Sequence, residues 1–104
     1  MNNKRRKEIK FIQKFLIAEE LAEDILNRLE DVLCDEENSY YNIPENLLGS
    51  VRAEESENAI DCLDEAIDLL SKYVDKDNPS LIWRNVSDKI KRLLDDIIKG
   101  GKYV

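Results

Sequence analysis

The chain contains no histidine, and only two cysteines, three glycines and two prolines occur among its 104 residues. Without histidine, the commonest catalytic base and the usual nitrogen ligand of zinc are missing. Helical di-iron sites of the Glu-x-x-His type are excluded for the same reason. The sequence also lacks a glycine-rich phosphate loop and a Gly-x-Ser-x-Gly element. We therefore expect a protein that is not an enzyme and needs no cofactor.

Long apolar runs are also missing, since no stretch approaches the ~18–20 residues that cross a bilayer. Polar residues interrupt the segment that follows the basic start, so it does not read as a secretory signal. Cys34 and Cys62 lack metal-type spacing, and each lies on or beside an apolar stripe. We expect small, partly buried thiols in a reducing compartment, although a disulfide between the first two helices stays open. The sequence predicts a cytoplasmic protein outside the membrane.

Apolar residues recur at spacings of three and four in three stretches, which predicts amphipathic helices over about 7–34, 51–74 and 79–99. In the second stretch the pattern Ala-Ile-Asp-x-Leu repeats after seven residues, at Ala59 and Ala66. The predicted core stripes are Phe11, Phe15, Ala18, Ala22, Ile25, Leu29 and Val32 in the first helix; Ala59, Leu63, Ala66, Leu70 and Tyr73 in the second; and Ile82 or Trp83, Val86, Ile90, Leu93, Leu94, Ile97 and Ile98 in the third.

The predicted fold is all-α: a three-helix antiparallel bundle with a long first helix and a short extra helical turn near 44–48. It forms a single domain over 1–104, in which 1–7 is a basic arm and 102–104 is a loose tail. The third helix is predicted to start with Asn78 as cap and Pro79 at the first helical position. Because the first helix exceeds the third by about two turns, part of its stripe would stay uncovered, and a homodimer is one way to cover it.

Charge is distributed in three blocks behind a net charge of −7. Residues 1–18 carry six basic side chains and one acidic, residues 19–68 carry seventeen acidic and two basic, and residues 69–104 carry eight basic and five acidic. The acidic centre attracts basic surfaces and repels phosphate backbones. We expect a protein partner with a basic surface.

The candidate partner-binding residues combine this acidic centre with an aromatic cluster in the connection before the second helix. Tyrosine supplies contact area with little loss of side-chain entropy, which favours it at interfaces. The other interpretation of the cluster, which also contains Leu48, is a plug over the end of the core. The predicted contact residues are Tyr40, Tyr41, Ile43, Leu47, Glu54, Glu57, Asp61, Asp64 and Asp68.

A weaker alternative comes from two carboxylate pairs, Glu20 with Glu23 and Glu65 with Asp68. Their spacing resembles the Glu-x-x-Glu and Glu-x-x-Asp pairs of the all-α nucleotide pyrophosphatases, and that resemblance implies a magnesium site between facing helices. For such a site all four carboxylates must converge on the ion and the phosphates. The apolar stripes turn all four away from the core, so the sequence favours a solvated charged face.

The basic residues of 1–18 offer a third surface, suited to nucleic acid. No helix-turn-helix pattern lies beside them, and Phe11 and Phe15 fall on the predicted core stripe rather than between the charges. We therefore expect the basic start to pair with the acidic centre of the same chain, or of a second copy, and not to bind nucleic acid.

Three motifs resemble a group of small acidic helical proteins of Firmicute genomes, prophages and other mobile elements. They are Ile43-Pro44-Glu45-Asn46-Leu47, preceded by Tyr41-Asn42; Ser50-x-Arg52-x-Glu54; and the Ala-Ile-Asp repeats of 57–68. The resemblance covers about residues 40–70 and, more loosely, the basic start. It implies a bacterial or phage cytoplasmic setting and transfers no functional residue to this chain.

Overall fold

The computed structural model describes residues 3–16, 19–44, 46, 49, 51–75 and 80–99. All the regular structure in these ranges is helical. Four α-helices follow one another: α1 (Asn3–Phe15), α2 (Ala22–Tyr41), α3 (Val51–Val74) and α4 (Trp83–Ile98). A short 3₁₀ turn, Glu19–Leu21, leads into α2.

The four helices form an up-down-up-down bundle in which each lies antiparallel to its neighbours in sequence and α4 closes back on α1. Glu36 near the end of α2 contacts Ser56 near the start of α3, and Tyr73 near the end of α3 contacts Trp83 at the start of α4. The most extensive packing joins α2 to α3 and α3 to α4. The bundle measures 46 × 23 × 21 Å.

The core is built from side chains that recur every three or four residues, so that each helix buries one face. The stripe positions from Ala22 to Val32, from Ala59 to Leu70 and from Val86 to Ile97 are confirmed, although Leu93 and Ile98 are half-buried and Ile82 is exposed. The fully buried large side chains are Ile9, Ile12, Leu16, Ile25, Leu29, Leu63, Leu70, Ile90, Leu94, Val86 and Glu36.

The predicted long first helix is wrong, because the chain turns back on itself after α1 and makes a helical hairpin with α2. The bundle therefore has four helices instead of three. Extending the buried spacing of Ile9, Ile12 and Leu16 by three or four residues reaches Glu19 and Glu20, which cannot enter a core unpaired. Folding back avoids this burial and lets α1 cover α2 and α4.

The prediction that Phe11 and Phe15 lie in the core is also wrong, since the two side chains are 42% and 37% exposed. The buried face of α1 is formed by Ile9, Ile12 and Leu16 instead. Ala18, which the same stripe included, lies outside the described residues. Because the predicted long helix is two helices, α1 and α2 need not bury the same side of one continuous helix. Only α2 buries the residues that the sequence predicted.

The predicted break after Cys34 is replaced by two further turns of α2, which runs to Tyr41. The reason is Glu36, which continues the buried spacing of Leu29 and Val32 and is itself completely buried. Its charge is neutralised by Arg5, which the sequence placed in a loose basic arm. That arm is helical from Asn3 onward, so the ion pair orders both segments.

The boundaries of α3 agree with the prediction for the second helix, Val51–Val74. The last helix begins at Trp83, four residues later than predicted, with Ile82 in an extended conformation at its N-cap. The predicted cap and first helical residue, Asn78 and Pro79, lie outside the described residues. So do most of the extra turn near 44–48 and the tail 102–104.

Candidate functional site

Four of the predicted contact residues form a continuous row of carboxylates along α3: Glu57, Asp61, Asp64 and Asp68. All four are exposed, and their spacing of four, three and four residues keeps them on one side of the helix. That side is opposite the buried positions Ala59, Leu63, Ala66 and Leu70. At the rise of an α-helix the row is about 16 Å long.

The row of carboxylates ends at two tyrosines from the last turn of α2. The Tyr40 hydroxyl donates a hydrogen bond to the carboxylate of Glu57, which joins α2 to the start of the row. Tyr41 is 73% exposed, and its ring meets that of Tyr40 edge-on with 5.9 Å between centroids. The exposed Tyr41 ring is thus linked to the row of carboxylates through Tyr40.

The other predicted contact residues contribute less to this surface. Glu54 and Ile43 are half-buried, and Leu47 lies outside the described residues. The structure thus brings together the tyrosine pair and the four carboxylates of α3, and we call these six residues the acidic stripe.

The hydrogen bond to Glu57 raises the pKa of Tyr40, because ionising the phenol would place a second negative charge beside the carboxylate. The hydrogen bond to Glu19 raises the pKa of Tyr73 in the same way. Both tyrosines therefore stay neutral as the pH rises past the ordinary value, and both contacts are lost only at higher pH.

We expect Glu57→Gln to lower the ionisation midpoint of Tyr40 and leave that of Tyr73 unchanged, because the amide removes the negative charge beside Tyr40 alone. The measurement is tyrosinate absorbance during an alkaline titration, with Tyr40→Phe and Tyr73→Phe variants assigning the two steps. Glu19→Gln is the matched control and should move only the Tyr73 step. An ionisation midpoint of Tyr40 that is the same in Glu57→Gln and in the parent protein would contradict this pairing.

The carboxylate pairs of the pyrophosphatase alternative do not converge. Glu20, Glu23, Glu65 and Asp68 are all exposed, as their position relative to the apolar stripes predicts. Glu65 pairs with Lys89 at 3.5 Å, and Asp68 pairs with Lys72 at 3.0 Å. Within the part of the chain that the structure describes, no group of three or more His, Cys, Asp or Glu side chains could hold a metal ion.

A buried polar cluster, which was not predicted from the sequence, joins three helices at one end of the bundle. Glu36 accepts a charged hydrogen bond from Arg5 Nε at 2.7 Å and a second bond from Ser56 Oγ at 3.0 Å. The Glu36 side chain is fully buried, and that of Arg5 is 14% exposed. The only local sign was that Glu36 extends the three-and-four spacing of the α2 stripe.

The bundle separates charge between two sides. The adjacent helices α2 and α3 each contain seven acidic side chains, against one and two basic side chains, respectively. The adjacent helices α4 and α1 contain four and six basic side chains against three and one acidic, respectively. This arrangement places α1 diagonally across the bundle from the acidic stripe.

A groove between α1 and α2 holds the second feature that sequence reasoning missed. Phe11 and Phe15 lie side by side with ring centroids 4.6 Å apart. The Arg28 guanidinium lies 5.2 Å from the centre of the Phe11 ring and pairs with Glu8 at 3.3 Å. A pocket of about 310 Å³ between the same two helices is lined by Lys4, Arg5, Glu8, Arg28, Asp31, Val32 and Asp35.

The two cysteines are free thiols, so the disulfide left open by the sequence is not formed. Cys34 is exposed on α2, and Cys62 is half-buried on α3. Burial raises the pKa of Cys62, and the nearby Asp96, Glu65 and Asp61 add to the effect. Cys62 is therefore a poor nucleophile near neutral pH.

Comparison with known protein families, with curated proteins and with solved structures gives no match to this chain. None of the helices in the described ranges combines the length and the apolar character that crossing a membrane requires.

Proposed function

We propose that the chain is a non-enzymatic interaction protein that binds a basic surface of a protein partner through the acidic stripe. The observation that carries the proposal is the row of four exposed carboxylates on α3 that ends at the exposed Tyr41 ring. The carboxylates supply attraction and orientation, and the tyrosines supply contact area. The cytoplasm of a bacterium or phage-infected cell is the proposed setting, on the resemblance described above.

The energetics favour a partner whose basic side chains contact all four carboxylates of the acidic stripe. A single exposed ion pair contributes ~0.2–1 kcal/mol, so four together contribute about 1–4 kcal/mol and act mainly on the association rate. Lys72 already pairs with Asp68 at 3.0 Å, so a partner must compete at that end. The Tyr41 end is where apolar contact adds affinity.

The alternative of a purely structural dimer has less support from the structure than from the sequence. That prediction depended on an uncovered stripe in a long first helix, and α1 instead folds back over α2 and α4. The large exposed apolar side chains in the described ranges are Phe11, Phe15, Tyr41 and Ile82, which belong to different parts of the bundle apart from the phenylalanine pair. The pyrophosphatase alternative lacks convergent carboxylates in this structure.

Neutralising the four carboxylates of the acidic stripe should weaken capture of the partner without unfolding the bundle. In the variant Glu57→Gln, Asp61→Asn, Asp64→Asn, Asp68→Asn, the loss of four ion pairs lowers affinity by about 1–4 kcal/mol. The measurement is quantitative mass spectrometry of bacterial proteins retained by the immobilised chain at low and at high salt. Tyr41→Ala should weaken the same interactions.

The matched control removes four exposed carboxylates elsewhere, through Glu20→Gln, Glu23→Gln, Asp24→Asn and Glu30→Gln. It changes net charge equally but leaves the stripe intact, so basic partners should still be retained. Equal loss of binding in both variants would show that net charge alone acts. Retention of the same proteins by the stripe variant would refute the proposal.

A further inference from the structure

The outer face of α1 combines positive charge with exposed aromatic rings. Lys4, Lys7, Lys10 and Lys14 are all exposed and lie away from the buried Ile9, Ile12 and Leu16. None of these four lysines pairs with a carboxylate among the described residues. Like charges three or four positions apart destabilise a helix, and basic residues in its first turn oppose its dipole. An external anion would relieve both effects.

The aromatic rings lie beside these charges. Phe11 follows Lys10, and Phe15 follows Lys14, so that the two rings line one edge of the lysine row. Phe15 also lines the groove between α1 and α2. Their 4.6 Å contact and the Arg28 guanidinium above Phe11 form a small stacking platform. The expectation that α1 avoids nucleic acid depended on the missing helix-turn-helix pattern and on the burial of these two phenylalanines, and the phenylalanines are exposed.

We propose that the outer face of α1 binds single-stranded nucleic acid, with the four lysines on successive phosphates and with unpaired bases stacked on Phe11 and Phe15. Exposed rings beside a basic track are the usual features of proteins that bind single strands without sequence preference. A duplex keeps its bases stacked on each other, so it would use the lysines and not the rings. The binding uses a surface diagonally opposite the acidic stripe and does not depend on it.

The net charge of −7 does not prevent this binding. The bundle is 21–23 Å across its short axes, and the Debye length at physiological salt is ~8 Å, so the charge of α3 is largely screened at the outer face of α1. The opposing charges that line the groove are Asp24, Asp31 and Asp35 of α2 and Glu8 of α1, and the basic side chains there are Lys4, Arg5 and Arg28. Positive charge therefore prevails along the outer face.

Association with a second copy is less favoured by the same charges. Because α1 and the acidic stripe are diagonal in the bundle, pairing them between copies gives an open head-to-tail chain and not a closed dimer. Four surface ion pairs are also small against the entropic cost of joining two proteins. A polyanion instead releases condensed counterions at every lysine contact.

The test is fluorescence anisotropy of labelled single-stranded oligomers of about 12 nucleotides, oligo-dT and oligo-rU, titrated with the full chain. With four phosphate contacts the logarithm of the binding constant should fall against the logarithm of salt with a slope of about −3. Between about 50 and 200 mM salt, affinity should drop about 50-fold. Removing two lysines through Lys7→Ala and Lys14→Ala should flatten the slope by about 1.4.

The stacking contribution is tested separately with Phe11→Ala and Phe15→Ala, each of which should weaken binding at least about fivefold at unchanged slope. Lys72→Ala on α3 and Ile82→Ala before α4 are the matched controls, since both side chains are more than half exposed and lie outside the α1 face. These controls should bind as the parent does. Circular dichroism verifies that each variant keeps its helix content.

Several outcomes would overturn the proposal. One is the absence of binding at about 50 mM salt. Another is duplex binding as tight as single-strand binding, with both phenylalanine variants neutral. Preferential binding to phosphatidylserine vesicles would assign the face to a membrane surface instead. If the protein does not bind the oligonucleotides but sediments as an assembly of several copies, and if this assembly requires the four lysines, the face would be assigned to self-association.

Discussion

Glu36→Ala is expected to lower the free energy of unfolding by about 3–5 kcal/mol, because it leaves the nearly buried charge of Arg5 without its carboxylate. The Ser56 hydroxyl, itself buried, loses its acceptor at the same time. A domain of this size is stabilised by only about 5–15 kcal/mol, so the variant loses a large share of its stability. Urea denaturation followed by circular dichroism measures the change.

Two comparisons isolate the buried ion pair. Glu30→Ala removes an exposed carboxylate of the same helix and should change stability by no more than about 0.5 kcal/mol. Replacing both partners, Arg5→Met with Glu36→Leu, should recover much of the loss, since an apolar pair of similar size avoids burying a guanidinium that has lost the Glu36 carboxylate. If Glu36→Ala costs as little as Glu30→Ala, Glu36 is not buried against Arg5.

Ile12→Ala is expected to lower the free energy of unfolding by about 2–5 kcal/mol. Phe11→Ala, one position earlier, should lower it much less, although it removes a larger side chain. Ile12 is fully buried in the core, and Phe11 is 42% exposed. The pair tests the rotational phase of α1 directly, because the spacing that continues into Ala22 and Ile25 predicts the opposite order. Equilibrium unfolding of both variants under one set of conditions is sufficient.

The controls for this pair lie in the neighbouring helix. Leu29→Ala removes a fully buried side chain of α2, whose phase the sequence predicted correctly, and should match Ile12→Ala in size. Phe15→Ala should resemble Phe11→Ala. A larger loss for Phe11→Ala than for Ile12→Ala would place the phenylalanines in the core and remove the basis for nucleic-acid binding at α1.

The helix α3 was predictable because one uninterrupted periodicity fixes both its length and its buried face. The hairpin between α1 and α2 was not, since no glycine or proline separates the two periodic stretches. A usable sign was present nonetheless: the stripe through Ile9, Ile12 and Leu16 meets Glu19 and Glu20, whereas the stripe through Ala22 and Ile25 starts in a different phase. Two stripes that do not join indicate two helices.

The buried cluster could not be predicted from local patterns. A carboxylate in the polar run Asp35–Asn38 is normally placed in solvent, and the cation that pairs with it lies 31 positions away in the sequence. The acidic stripe was predictable, because residues opposite an apolar face must be exposed. The platform of Phe11, Phe15 and Arg28 was missed because it follows from the α1 phase and the hairpin together.

Separating charge across the bundle has a consequence for how the molecule moves. With excess positive charge on the α1 and α4 side and negative charge on the α2 and α3 side, the protein carries a permanent electric dipole across its long axis. Such a dipole experiences a torque near any charged body, so the molecule rotates into alignment before contact. The range of this torque shrinks from ~30 Å in dilute buffer to ~8 Å in the cell.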